Sequence, residues 1–381
     1  MPEPGHVALG TWSGGRFMHF GEALDEERLI ALLRPDARLR TLLTADVYGQ
    51  GDADRLLGRA LAGLDRDAYS LVGAIGHDFT AGERDGPRGF PRFTDPRLRG
   101  PGEYGDYVRA ATEASLARIG VDAFDVVLLH NPDRTGYTHP AVWEALAAVR
   151  DAGLAGAIGV APGPANGFTL DLIECLERFG AEIDWAMVIL NPLEPWPGEL
   201  ALEAARAHDV RLITRVVDYG GLFWDDLRPE HELPRTDHRS FRPEGWVAGG
   251  LARIEAMRPI AARHGLTPLQ LACQWNLAHL GVACAVPTLI QEGFPGARAI
   301  EDQRAELAAT PARVVLDDDD VTAIRAAGDN TGCMALKGAS PDHEGADRPD
   351  RWSLRPEHRE LAARWGIDPV ADLGQRAPAG R

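Results

Sequence analysis

Eight short runs rich in apolar and β-branched residues recur along the chain. They are His6–Thr11, Leu39–Thr44, Tyr69–Ile75, Phe124–His130, Gly156–Ala161, Asp184–Leu190, Val210–Val217 and Gly281–Thr288. Their apolar character is continuous rather than alternating, the pattern of strands covered on both faces. Between them the apolar positions take helical spacing, over Asp25–Leu33, Asp52–Leu64, Tyr104–Ile119, Pro140–Ala152, Thr169–Phe179, Glu199–His208 and Ala297–Ala309. Several of these segments open on a capping residue: Asp25 before Glu26 and Glu27, Asp52 before Leu56 and Leu57, and Thr267-Pro268 ahead of Leu269–Leu277. Strand then helix, repeated along the chain, predicts an α/β protein with a parallel sheet closed into a (β/α)8 TIM barrel. A doubly wound open sheet is the alternative. It lacks its phosphate-cradling GxGxxG, since GTWSGGRF after the first strand is only glycine-rich.

The barrel pattern spans residues 1–328. Beyond it, GDNTGCMALKGASPDHEGADRPDRW is turn-rich, with a short helical piece near Pro356–Trp365, so residues 329–381 are expected to form an extension packing on the barrel. Two connections are long, about His77–Gly105 and Asp218–Gly249. Both follow predicted strands, on the face where barrel active sites lie, and suit either lids or plain surface excursions.

Composition narrows the function. A chain of 381 residues with 45% apolar content can bury a large core. A formal charge of -17 argues against nucleic acid or an anionic membrane as a standing partner, and leaves a small molecule as the expected one. Cys175, Cys273, Cys284 and Cys333 show no CxxC spacing, and no signal-like or membrane-length apolar run is present, so a reduced, cytoplasmic protein is expected. No metal site is expected: His231, Glu232 and His238 lack ligand spacing, and Asp317–Asp320 reads as an acidic helix start.

Side chains at the C-terminal ends of barrel strands converge on one pocket. Here they include Trp12, Asp46, Tyr48, Ala74, His77, His130, Asn131, Ala161, Met187 and Arg215. A phenol that donates a proton, an imidazole that fixes a carbonyl and a carboxylate that orients a cation together suit carbonyl chemistry. Trp12, His77 and Asn131 are candidate pocket walls.

TADVYGQGDADRLLGRAL, ATEASLARIGVDAFDVVLLHNPD, DAGLAGAIGVAP and LTPLQLACQWNLAHLGVACAVPT together resemble segments of the aldo-keto reductase family, over most of residues 7–328. The resemblance implies reduction of aldehydes and ketones with NADP or NAD and no metal, with Asp46, Tyr48 and His130 in the three catalytic roles. Trp12, His130 and Arg215 point to a small polar carbonyl or alcohol as the expected substrate, a sugar-derived one among the candidates. The chain also departs from the family. Ala74 stands at the lysine position of the third strand, and Ala161, Pro162 and Met187 replace the usual carboxamide contacts. In VPTLIQEGFPGARAIEDQRAEL the nearest equivalents of the cofactor-binding residues are Gly296, Arg298, Asp302 and Gln303, with Arg215 added from strand seven. These losses motivate a second reading, a non-redox lyase, dehydratase or isomerase that uses Tyr48 and His130 to move protons.

The missing lysine poses an electrostatic problem. Of the 40 basic side chains only Lys337 is lysine. A buried Asp46 without a cation would be a costly unpaired carboxylate and would raise the pKa of Tyr48. Lys337, in the glycine-flanked tail NTGCMALKGA, is the favoured replacement, followed by Arg215 and then His77.

Overall fold

The computed structural model describes residues 2–86, 89–329 and 336–374. Eight parallel strands follow one another around the sheet: β1 Ala8–Gly10, β2 Thr41–Ala45, β3 Ser70–Ile75, β4 Phe124–His130, β5 Ala155–Ala161, β6 Trp185–Ile189, β7 Arg211–Arg215 and β8 Val282–Val286. Val7 bridges in parallel to Ala285, and Ala285 N donates to His6 O at 2.9 Å. The eighth strand thus returns to the first, and the sheet closes into a (β/α)8 barrel.

Two apolar clusters explain why the strand sequences are continuous. Leu43, Ala45, Val72, Ala74, Val126, Leu128, Met187 and Ile213 pack inside the barrel. Their neighbours Leu42, Leu71, Val127, Leu129, Val188 and Leu212 pack outward beneath the helices. Both sides of every strand are therefore dry. The inner layer ends in small side chains at the mouth, with Ala45, Ala74 and Ala161 all buried, so space remains there for longer groups.

Helices follow the predicted spacing closely. Glu26–Leu33 is capped by Asp25, whose side chain accepts from Arg28 N, and Tyr104–Ile119 and Thr169–Phe179 match their predicted bounds. The predicted Asp218–Gly249 connection is shorter than expected, because helix Trp246–Arg263 starts inside it. Gly249, Gly250 and the internal Pro259 weaken that helix's sequence signal.

Residues 336–374 pack against the barrel. Gly338–Ser340 (β9) pairs in parallel with Arg351–Ser353 (β10), followed by helices Pro356–Arg364 and Pro369–Leu373. The anchor is Asp171 on helix Thr169–Phe179, which is fully buried. It accepts from Trp352 Nε1 at 2.7 Å and from Ala339 N at 2.9 Å, while Arg134 lies 3.4 Å away. Trp352 in turn packs against Phe168 and Tyr137. Cys333 and most of the segment preceding Lys337 lie outside the described residues.

Asp171→Ala strips one carboxylate from several buried donors and leaves Arg134 short of a partner. The expected cost is about 3–5 kcal/mol, read as a lower denaturation midpoint, with limited proteolysis cutting the 336–374 segment first. A midpoint equal to wild type would remove Asp171 as the anchor.

Candidate active site

The chain leaves β2 through a turn that only certain residues tolerate. Gly49, Gln50 and Gly51 all have positive φ, at 59°, 54° and 93°. They redirect the backbone into helix Asp52–Leu61 and leave Tyr48 at the barrel mouth. His130 ends β4, and its ring meets the Tyr48 ring edge-on, with centroids 5.8 Å apart at 88°. Trp12 closes the other side, 6.5 Å from Tyr48. Its Nε1 donates to Thr288 Oγ1 at 3.2 Å. Gly10 permits this placement, because a Cβ there would stand 2.4 Å from the Trp12 ring.

His77 and Asn131 form a supporting pair behind His130. His77 lies 5.2 Å from the His130 ring. Its Nδ1 stands 3.0 Å from Phe90 O, and a carbonyl only accepts, so the proton sits on Nδ1. His77 Nε2 then accepts from Asn131 Nδ2 at 3.2 Å. Burial, with the Arg92 charge adding to it, pushes the His77 imidazole down to about 3. His130 is held well below the ordinary histidine range by burial first, then by the charges of His77, Arg215 and Arg92. Both rings are therefore neutral at physiological pH, and His130 Nδ1 is buried without a hydrogen-bond partner among the described residues.

Asp46 is 1% exposed, and its Oδ1 likewise has no partner. Burial holds this carboxyl well above the usual carboxylate range, the Asp54 charge adds to the rise, and Arg118 opposes it. Arg118 itself is bonded to Asp54, through Nη2 at 2.9 Å and Nε at 3.1 Å. The niche is buried, and that burial favours the protonated form of Asp46. Lys337 is not brought there: its Nζ pairs with Asp350 at 2.9 Å, and it does not line the cavity.

Arg215 is the guanidinium at the mouth. It leaves β7 two residues after Ile213, on the barrel's inner side. It occupies the room left by the small inner residues, and its Nη2 donates to Pro162 O at 2.9 Å and to Gly163 O. Its Nε is buried without an acceptor. Tyr48 is raised by burial, and the Arg215 charge opposes that rise.

One cavity joins these groups. It runs from Ala74, Tyr48 and His130 past Ala161, Pro162 and Met187 to Gly220, Arg239 and Arg242. The loops after β1 and β7 roof it. Gly21 N donates to Asp237 Oδ2 at 2.9 Å, and His238 N donates to His19 O at 2.8 Å. Buried Arg239 ties Asp237 to Glu292, with Nη2 contacts of 2.7 and 3.0 Å.

The model of the aldo/keto reductase family matches residues 6–329. The chain belongs to that family. Methylglyoxal reductase YeaE of Escherichia coli (strain K12) is 25% identical over 286 residues, covering 74% of this chain and 79% of that protein. The fold is shared with solved aldo-keto reductases. The holo form of AKR11C1 from Bacillus halodurans superposes with a TM-score of 0.58 at 19% identity, over 84% of this chain and 91% of that one. Glycerol dehydrogenase AKR11B4 from Gluconobacter oxydans gives 0.59 at 18%, over 99% and 94%. A Klebsiella pneumoniae aldo-keto reductase in complex with NADPH gives 0.56 at 20%, over 87% and 93%. As an aldo/keto reductase, the chain is an oxidoreductase.

The cavity fits the ring end of a nicotinamide cofactor by shape and apolarity. Ala161, Pro162 and Met187 form a flat apolar wall beside Tyr48 and His130, although they offer no side-chain bond to an amide. The phosphate-end candidates lie on the loop after β8 and do not line this cavity. Gly296 has φ 83° and open space around it. Arg298 is tied to Trp224 O at 2.8 Å and Glu306 at 2.7 Å. Asp302 lies in the first turn of helix Ile300–Ala308, and Gln303 is spent on both the N and the O of Ile290. Sequence reasoning missed the Arg239 tie, which carries no motif, and the protonation of Asp46.

The Asp46 shift has a testable sign. Its folded-state pKa lies above the unfolded value of about 3.9, so the folded protein binds the extra proton. Its contribution is fully present below that value and is lost as pH rises toward the folded pKa. Asp46→Asn, neutral throughout, should gain stability relative to wild type as pH rises through this window, read by urea denaturation at a series of pH values. A constant difference across the series would show an ionised Asp46.

Proposed function

We propose that this protein reduces a small carbonyl compound with NADP or NAD, using Tyr48 as the proton donor and His130 as the group that orients the carbonyl oxygen. The observation that carries this reading is the edge-on pairing of Tyr48 and His130 at the wall of a largely apolar cavity. A reduced nicotinamide supplies hydride to the carbonyl carbon when bound. The chain's own residues do the rest. Neutral Tyr48 gives its hydroxyl proton to the carbonyl oxygen, and the Arg215 charge stabilises the phenolate left behind. His130, held neutral, donates an N–H to the same oxygen. Trp12 and Met187 exclude water from the reacting centre. Gly296 and Arg298 are the proposed holders of the phosphate end. The match to methylglyoxal reductase supports a small carbonyl substrate. The non-redox alternative draws on one feature, the absence of polar side chains at Ala161, Pro162 and Met187, and it predicts turnover without oxidation of NADPH.

Tyr48→Phe should lower kcat/KM for any carbonyl that oxidises NADPH by about 10²–10⁴-fold, with cofactor quenching of tryptophan fluorescence retained. Activity within twofold of wild type would remove the phenol from the proton-donor role.

Lys337→Ala breaks only a half-exposed pair with Asp350. The expected change in kcat is less than about twofold and in stability at most about 1 kcal/mol. A hundredfold loss of kcat in steady-state assays would return Lys337 to the catalytic group.

A further inference from the structure

We propose that Arg215 selects substrates whose carbonyl neighbours a carboxylate, the 2-oxo acid class. This inference rests on the reductase reading above and refines its substrate. Arg215 enters no ion pair among the described residues, although it lines the cavity and is only partly exposed. Two backbone carbonyls, of Pro162 and Gly163, hold one nitrogen, and Nε has no acceptor. A guanidinium with a buried, unused donor is an incomplete site, because a buried polar N–H is costly unless it is hydrogen-bonded.

The carboxyls sharing the cavity do not complete it. Asp218 is spent on backbone amides, with Oδ1 on Thr288 N and Oδ2 on Gly221 N, both at 2.8 Å. Glu194 faces Arg242 at 3.9 Å, and burial raises it toward the neutral form. Arg239 is saturated by Asp237 and Glu292. Among the cavity's guanidiniums, Arg215 is the one with a buried N–H, at Nε, that has no acceptor among the described residues. Arg215 lines the same cavity as Tyr48 and His130, so an anion it holds shares that cavity with the reacting carbonyl. A carboxylate one bond from the carbonyl matches this placement. The backbone at the next residue reinforces the geometry: β-branched Val216 is held at φ 59°, and Asn191 Nδ2 clamps its carbonyl at 3.0 Å.

The test compares an acid with its neutral ester. With wild type, pyruvate should oxidise NADPH with a KM about 10- to 100-fold below that of methyl pyruvate, the worth of one charge-assisted bond. Oxalate, which cannot react, should protect the cofactor-free protein against thermal unfolding. Arg215→Met should erase both the preference and the protection without an equal fall in NADPH affinity, and Arg215→Lys should recover part of each. Equal turnover of acid and ester in wild type, with no oxalate protection, overturns the proposal and leaves the reductase reading intact. An equal fall in NADPH affinity in Arg215→Met assigns the guanidinium to a cofactor phosphate and also overturns it. Arg215-dependent oxalate protection without oxidation of NADPH by any carbonyl upholds the anion site and removes the reductase reading. Should Arg215→Met fail to fold, the Arg215→Lys comparison and the wild-type acid-to-ester ratio still decide.

Discussion

Desolvation at the barrel mouth governs the state of every ionisable group in this site. Removing water disfavours whichever form carries charge, so Asp46 and Tyr48 are driven toward their protonated forms and His130 and His77 toward their neutral ones. Burial also lowers Arg215, yet a guanidinium starts from so high a pKa that it stays charged. The mouth therefore sets several groups driven toward neutral forms beside the Arg215 cation. That arrangement suits a reaction in which negative charge appears on oxygen only in transit, because a preorganised positive field costs no reorganisation when the charge develops.

Dryness has structural supports of its own. The Arg239 tie fixes the roof to the loop after β8 by joining Asp237 and Glu292, and Asp237 also accepts from Gly21 N on the loop after β1. Three connections far apart in sequence meet at one guanidinium. On the far side, Asp171 holds the C-terminal segment through Trp352 and Ala339. Small residues serve the same end: Gly10 lets Trp12 fold back, and Gly76, whose added Cβ would stand 2.4 Å from His130 O, lets β3 and β4 approach closely.

The barrel was legible because its signals are local and repeated. Each strand run is apolar on both faces, and caps such as Asp25 and Thr267 mark helix starts that the structure keeps. Helix Trp246–Arg263 escaped because its glycines and Pro259 contradict helical propensity and packing overrides them. The three-residue strands β9 and β10 escaped because so short a run has no period to read. At the site, the strand ends placed Trp12, Tyr48, His130, Asn131 and Arg215 on one cavity wall. Lys337 was argued from composition, as the chain's one amine side chain, and composition carries no geometry. A cation at Asp46 is required only if that carboxyl is ionised, and burial favours its protonated form. A proton neutralises a buried carboxyl as well as a cation does, and no residue pattern announces it.

Arginine and lysine are not equivalent answers to the same vacancy. A lysine at position 74 would reach the mouth from β3 on a flexible stem, and its ammonium could lose a proton when desolvated. The chain puts alanine there and sends a guanidinium across from β7, pinned by the carbonyls of Pro162 and Gly163. Pro162 is also one of the positions after β5 that lack a polar side chain for an amide, so the two departures meet there. The cation needs the carbonyls, and carbonyls spent on a guanidinium are less free to hold a carboxamide. What such a site gives up in grip on a neutral ring it recovers in a fixed positive charge beside the phenol. Its electrostatics are then set by strand parity and backbone, not by the titration of an amine.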